Sequence, residues 1–162
     1  MELDSHVDTC VLGKDLLKSY NWNCPVNVYR WNPKDRYWLC QKIPGAVDYY
    51  HPQSGQVYIF IFRQCILVDH LDHHILCPMQ YRINSVEMNK TPKFLLKRPN
   101  NTSHAIVMDE PYGETTIIVP LSINGVTIYF PYRKPTRSDF QRCEVPWIDF
   151  TAEAPDWDPS DR

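Results

Sequence analysis

The sequence predicts a mainly β domain with one or two short helices, on three observations. Its 14 prolines against 5 glycines break long helices and separate short extended segments. Its aromatic content of 13%, rich in Tyr and Trp, suits strands and half-buried surfaces. Two β-rich segments, Ala46–Tyr50 and Val57–Phe62, flank a Pro- and Gly-bearing stretch, His51–Gln56, which reads as a β-hairpin.

The remaining elements follow in chain order. Leu3 to Gly13 reads as a short strand, a turn and a second short strand. Lys14 to Tyr20 reads as a weak helix or loop. Val26-Asn27-Val28-Tyr29 alternates as a strand does. Ile66-Leu67-Val68 extends the hairpin pairing or starts another strand. Ile75-Leu76-Cys77-Pro78 leads into a short helix over Met79 to Val86, with Pro78 suited to its first position and Asn84 or Ser85 to its end. Met79, Ile83 and Val86 then share one face.

Three further strand candidates follow: 105–108, 115–119 and 126–130. Pro111–Glu114 and Ile123–Gly125 supply the turns, and Asn124-Gly125 is a strong hairpin signal. Beyond Pro135 the chain is polar and proline-rich. The expected organisation is a core over 1–90, an appended β segment packed on it over 91–135, and a tail or linker over 136–162.

The 162 residues, 43% of them hydrophobic, allow one domain with a real core. A net charge of −2 and a pI near 6.3 give no electrostatic footprint for nucleic acid and no polybasic membrane anchor. No apolar run approaches the ~20 residues of a membrane span. The N-terminus is acidic and lacks a signal-peptide core, so the six cysteines are expected as reduced thiols.

The residues that carry chemistry stand at the start: Leu3-Asp4-Ser5-His6-Val7-Asp8-Thr9-Cys10-Val11-Leu12-Gly13. A carboxylate followed by a hydroxyl residue in a tight turn, with an apolar residue before and an apolar pair after, is the pattern of an aspartic protease turn. Two such carboxylates share one proton, because like charges so close cannot both ionise. The run resembles the Leu-Asp-Ser-His-Ala-Asp-Thr-Cys-Val-x-Gly stretch of a group of Copia-like retrotransposon polyproteins. Ile75–Arg82 resembles the segment that closes their protease domains, where an apolar strand and a short helix stand in retropepsins. Ile118–Leu121 through Ile128–Pro131 resembles a stretch downstream in those polyproteins.

The resemblance implies a retropepsin-like closed β-barrel or sheet with a flap hairpin and one short helix, plus an appended β-hairpin region. It implies an aspartic endopeptidase that cuts a retrotransposon polyprotein in the cytoplasm, inside or outside particles, without a metal or cofactor. Asp4 is then the catalytic acid, and Ser5 braces it. His6, Asp8 and Thr9 are its neighbours. Pro52, Gln53, Ser54 and Gly55 form the flap over a peptide substrate. No second Asp-Thr/Ser-Gly occurs, so the second carboxylate must come from a second copy of the chain in a homodimer. Two departures stand out: His6 occupies a place where Gly is usual, and three residues precede Asp4 where retropepsins carry strands that help form the dimer sheet. A weakened dimer and a strained turn are the corresponding expectations, and an inactive retropepsin-fold interaction domain is the alternative reading.

Other clusters admit other chemistry. His70, His73, His74 and Cys77 stand near helical spacing as metal donors, but a polar turn between apolar strands explains them with fewer assumptions. Cys10 and His6 form a thiol and base with no third orienting residue. Tyr20, Trp22, Tyr29, Trp31, Tyr37 and Trp38 interleave with Lys14, Lys18, Arg30, Lys34, Arg36 and Lys42. Core packing and ordinary surface charge account for these better than a nucleic-acid face in an acidic chain.

Overall fold

The longest elements are the two arms of the expected hairpin. In the computed structural model they are β5 (Trp38–Tyr50) and β6 (Val57–Leu67), paired antiparallel from Tyr50↔Val57 down to Gln41↔Leu67. The structure describes residues 1–4, 6–14, 17–18, 24–28, 38–110, 115–141 and 145–151. The second arm runs unbroken through the segments expected as two. Its register shifts between Ile43 and Gly45, opposite Gln64, whose φ is +57°. That is a β-bulge: one extra residue on β6 turns aside and bends the strand.

Around this hairpin the chain builds one mixed sheet. Its strands are β1 (Glu2–Leu3), β2 (Val11–Leu12), β3 (Leu17–Lys18), β4 (Cys24–Val28), β5, β6, β7 (Ile75–Leu76), β11 (Ser122–Asn124), β12 (Thr127–Tyr129) and β13 (Trp147–Asp149). The path is β11-β12-β1-β7-β2-β6-β5-β3, with β4 on β5 and β13 on β6. A second sheet orders β10 (Thr116–Pro120), β9 (Ala105–Asp109) and β8 (Glu87–Asn89). The mainly β expectation holds. The closed barrel does not: among the described residues the large sheet is open, ending in the two- and three-residue strands β3 and β11, and no ladder joins them.

Residues expected as a weak helix or loop contribute β3, which pairs with Ala46 and Gly45. The expected strand Val26–Tyr29 lies in β4, which begins at Cys24. Strands 105–108, 115–119 and 126–130 correspond to β9, β10 and β12. The Asn124-Gly125 hairpin forms with Asn124 opposite Thr127, and Gly125 at φ +60° supplies the left-handed turn residue. The Pro111–Glu114 turn, the aromatic and basic stretch at 29–37, and residues 152–162 lie outside the described residues.

Helix α1 (Pro78–Ile83) begins on Pro78 at its first turn and ends at Asn84, with Ser85 at φ +60°. It is shorter than expected, and its buried face differs. Tyr81 and Gln80 point inward, whereas Met79 is about half exposed. Val86 is buried too, but beyond the helix end, so its apparent helical spacing has no helix under it. A second short helix, α2 (Arg137–Gln141), and β13 lie in the stretch expected as a tail.

The core is aromatic. Phe150, just past β13, stacks on Phe60 with ring centroids 4.1 Å apart. It also meets Phe62 and Tyr81 edge-on at 5.3 and 5.4 Å. Such offset and edge contacts add to the apolar area that these rings remove from water. Three ties fix the segment carrying Phe150 to β6: Phe150 N–H donates to Ile61 O, Arg63 pairs with Asp149 at 2.8 Å, and the Thr151 hydroxyl bonds both backbone groups of Arg63.

Candidate active site

Asp4 closes β1 and opens the turn to β2. The two strands flanking this turn are not neighbours. Strand β7 lies between them, parallel to β1 (Glu2↔Ile75, Leu3↔Leu76) and antiparallel to β2 (Val11↔Ile75). Asp4 N–H donates to Leu76 O at 3.1 Å, which fixes the base of the turn to the inserted strand. Strand β7 then runs directly into α1. The outer side of β1 is covered by β12, with Glu2 opposite Tyr129 and Phe130 N–H donating to Met1 O. A strand from near residue 128 thus stands beside β1.

The return limb of the turn is held by buried polar side chains. Gln80 Oε1 accepts Cys10 N–H at 3.0 Å, and Gln80 Nε2 donates to Gln64 O at the bulge. His74, fully buried, accepts Gly13 N–H on Nδ1 at 2.8 Å and rests on the Tyr132 ring. Gly13 has a steric reason to be glycine. A Cβ there would stand 2.3 Å from Leu71 O and 2.7 Å from His73 O, both backbone atoms. Neither residue was read from the sequence as a support of this turn: His74 was weighed as a metal donor, and Gln80 lies in the Ile75–Arg82 segment that carried the resemblance.

The Asp4 side chain is 35% exposed, and its Oδ1 faces its own turn. That oxygen accepts His6 N–H at 2.9 Å and lies 3.0 Å from His6 Nδ1. The amide bond, above all, lowers the Asp4 pKa below the ordinary carboxylate range. Partial burial opposes it, and the imidazole and the Lys90 ammonium add to the lowering. The expected strain at His6 does not take a left-handed form: the described non-glycine residues with positive φ are Gln64, Ser85 and His104. Asp8 is exposed, Thr9 is half-buried, and Ser5 lies outside the described residues.

The residues expected as a flap sit at the tip of the β5–β6 hairpin. His51 N–H donates to Gln56 O, and Gly55, at φ +71°, donates back to His51 O. His51 Nδ1 accepts Ser54 N–H, with Ser54 Oγ 3.0 Å away. The tip Pro52–Gly55 is exposed.

The remaining candidates separate. His73 is half-exposed and pairs with Glu2, while His74 is committed to Gly13 and the Cys77 N–H donates to Cys10 Sγ. Burial pushes the Cys77 thiol pKa up. His6 lies with Asp4, not with the buried Cys10.

No family model, curated protein or solved structure matches this chain. Among the described residues no helix is long and apolar enough to cross a membrane.

Proposed function

We propose that this chain is an aspartic endopeptidase of a Copia-type retrotransposon polyprotein, active as a homodimer with one Asp4 from each copy. The observation that carries the reading is the placement of Asp4: on a turn between two strands that a third, β7, separates before running into α1. At that turn the Asp4 side chain is 35% exposed, while Leu3, Cys10 and Leu12 on either side of it are buried. The long β5–β6 hairpin supports the reading as the flap. In the dimer the two Asp4 carboxylates share one proton. The ionised one takes a proton from water as it attacks a peptide carbonyl, and the protonated one hydrogen-bonds the carbonyl oxygen. The chemistry requires no cofactor.

Asp4→Asn tests it. The substitution is nearly isosteric and keeps an oxygen for His6 N–H, so the thermal midpoint stays close to that of the parent. Cleavage of a polyprotein-derived peptide is abolished. Unchanged turnover removes Asp4 from the mechanism. The alternative, a retropepsin-fold interaction domain without activity, draws on the lowered Asp4 pKa, which works against sharing a proton. Light scattering separates the two: a strict monomer cannot form the dyad.

A further inference from the structure

Past β8 the chain makes a single 3₁₀ turn, Lys93–Leu95, in which no residue is buried. Leu95 N–H donates to Pro92 O and Leu96 N–H to Lys93 O, so the turn is held by its own backbone. Phe94 is 74% exposed and Leu95 66%. One exposed apolar side chain is ordinary, but two large neighbours on an ordered turn make a contiguous apolar surface. Lys90, Lys93, Lys97 and Arg98 flank it in the chain, and no Asp or Glu occurs from Met88 to Met108. Among the described residues none of these four cations makes a salt bridge. In a chain of net charge −2 this is a local excess of positive charge beside exposed apolar area.

We propose that this surface seats the chain's own acidic segment, residues 152–162. The proposal goes beyond the aspartic-endopeptidase reading and does not depend on it. The segment lies outside the described residues, and its sequence is complementary to the surface. Glu153, Asp156, Asp158 and Asp161 stand against one basic residue, Arg162, and Trp157 lies between two of the carboxylates. The carboxylates match the cations, and the Trp157 ring covers Phe94 and Leu95, which a bare polyanion leaves in water. The segment also starts within reach. Asn84 Nδ2 donates to Asp149 O at 2.7 Å, and Thr151 is bonded to Arg63, so the chain enters residue 152 beside the end of α1. The eleven residues 152–162 span up to ~36 Å when extended. Phe94 is ten residues beyond Asn84, and the turns at Asn84–Val86 and Lys93–Leu95 keep those ten short of full extension. The seat borders the candidate site, since the Lys90 ammonium is among the groups that, after the His6 amide, lower the Asp4 pKa. Seated there, the acidic segment lies beside the Asp4 turn.

A water-soluble carbodiimide, which joins a carboxylate to an amine that it touches, tests the seat on the full 162-residue chain. Peptide mass spectrometry is expected to find amide bridges from residues 152–162 to Lys93 and Lys97, at severalfold the yield to the exposed Lys134. The yield falls severalfold in about 0.5 M salt, where charges are screened beyond about 4 Å. It falls severalfold too in Phe94→Ser/Leu95→Ser, whose exposed positions leave the fold intact. Equal yields at Lys134, or an unchanged yield in that variant, overturn the proposal, because they describe random collision of an acidic segment. Mixing isotopically light and heavy chains gives bridges within one chain, and light-to-heavy bridges overturn the intrachain seat in favour of a second copy. No bridges, with sedimentation of the chain on phosphatidylserine vesicles, overturn it in favour of an anionic membrane. A second readout is the NMR shift of the Phe94 and Leu95 amides in Asp156→Lys/Trp157→Ser/Asp158→Lys. These peaks move from their parent positions, and peaks that superimpose overturn the seat. Neither readout uses turnover, so their failure leaves the protease reading standing.

Discussion

Replacing Asp48 with asparagine probes a buried carboxylate that works against the fold at neutral pH. Asp48 lies on β5 with its side chain fully buried, and its backbone N–H and C=O bond those of Arg133, each at 3.0 Å. Arg133 Nη2 stands 2.5 Å from Oδ2, yet neither carboxylate oxygen receives a well-formed hydrogen bond. The same guanidinium serves Asp139 at 2.9 Å, where the Thr136 amide and hydroxyl also donate. Burial pushes the Asp48 pKa up to about 6 from 3.8; Arg133 opposes this and Asp139 adds to it. A carboxyl raised in the folded state contributes stability that is complete below its unfolded value and is lost as pH rises through about 6. Over that interval the loss is about 3 kcal/mol. Asparagine mimics the protonated form and does not titrate. Urea unfolding from pH 4 to pH 7 is therefore expected to show the stability of Asp48→Asn rising relative to the parent by about 3 kcal/mol, most of it gained by pH 6 to 7. Asp139 runs the other way. Its pKa is lowered by the Thr136 and Arg133 bonds against the cost of burial, so its contribution is present above its unfolded value and lost in acid. A stability difference that is flat with pH, or that favours the parent as pH rises, refutes the reasoning, because it means that Arg133 outweighs burial at Asp48.

Two other substitutions test the frame that holds the Asp4 turn. Gly13→Ala forces a Cβ against the Leu71 and His73 carbonyls, and the loop cannot yield without breaking Lys14 N–H to Leu71 O or Gly13 N–H to His74. The expected cost is about 3 kcal/mol in urea unfolding, and a cost below about 1 kcal/mol would mean that loop 71–73 adapts freely. Gln80→Leu keeps the volume but leaves the Cys10 N–H without its buried acceptor. It should cost about 1–3 kcal/mol and speed hydrogen exchange at the Cys10 amide, and unaltered exchange there would remove Gln80 as the support.

The local elements were largely legible. Alternation and turn chemistry located the β5–β6 hairpin, the Asn124-Gly125 hairpin and the start of α1 at Pro78, because each depends on residues within a few positions of one another. The bulge at Gln64 was not legible, since nothing in glutamine demands a positive φ; the pairing across to Ile43 and Gly45 imposes it. The inward face of α1 was misread for a related reason. Spacing from Met79 to Val86 spans nearly two turns, but the helix stops at Ile83, and in so short an element the tertiary contacts of Tyr81 and Gln80 choose the face. The open sheet stands in place of the expected barrel: among the described residues its end strands β3 and β11 share no ladder.

The site itself divides in the same way. The order of Asp4, His6, Asp8 and Gly13 was readable as a run of residues, but the insertion of β7 between β1 and β2 was not. Strands two residues long have no periodicity to read, and parallel pairing between Leu3 and Leu76 leaves no local trace. Yet that pairing explains the polar residues buried nearby. With β7 inserted, the turn between β1 and β2 cannot close as a hairpin ladder, and its amides at Cys10 and Gly13 need other acceptors. Gln80 and His74, both fixed by the β7–α1 segment, supply them. The position of Asp4 therefore depends more on residues 74–80 than on its exposed neighbours. It follows that Asp8, exposed on the same turn, should tolerate substitution without loss of fold, while conservative changes at 74 or 80 displace the turn. His6 is the exception among the exposed residues, because its contact is with the carboxylate itself.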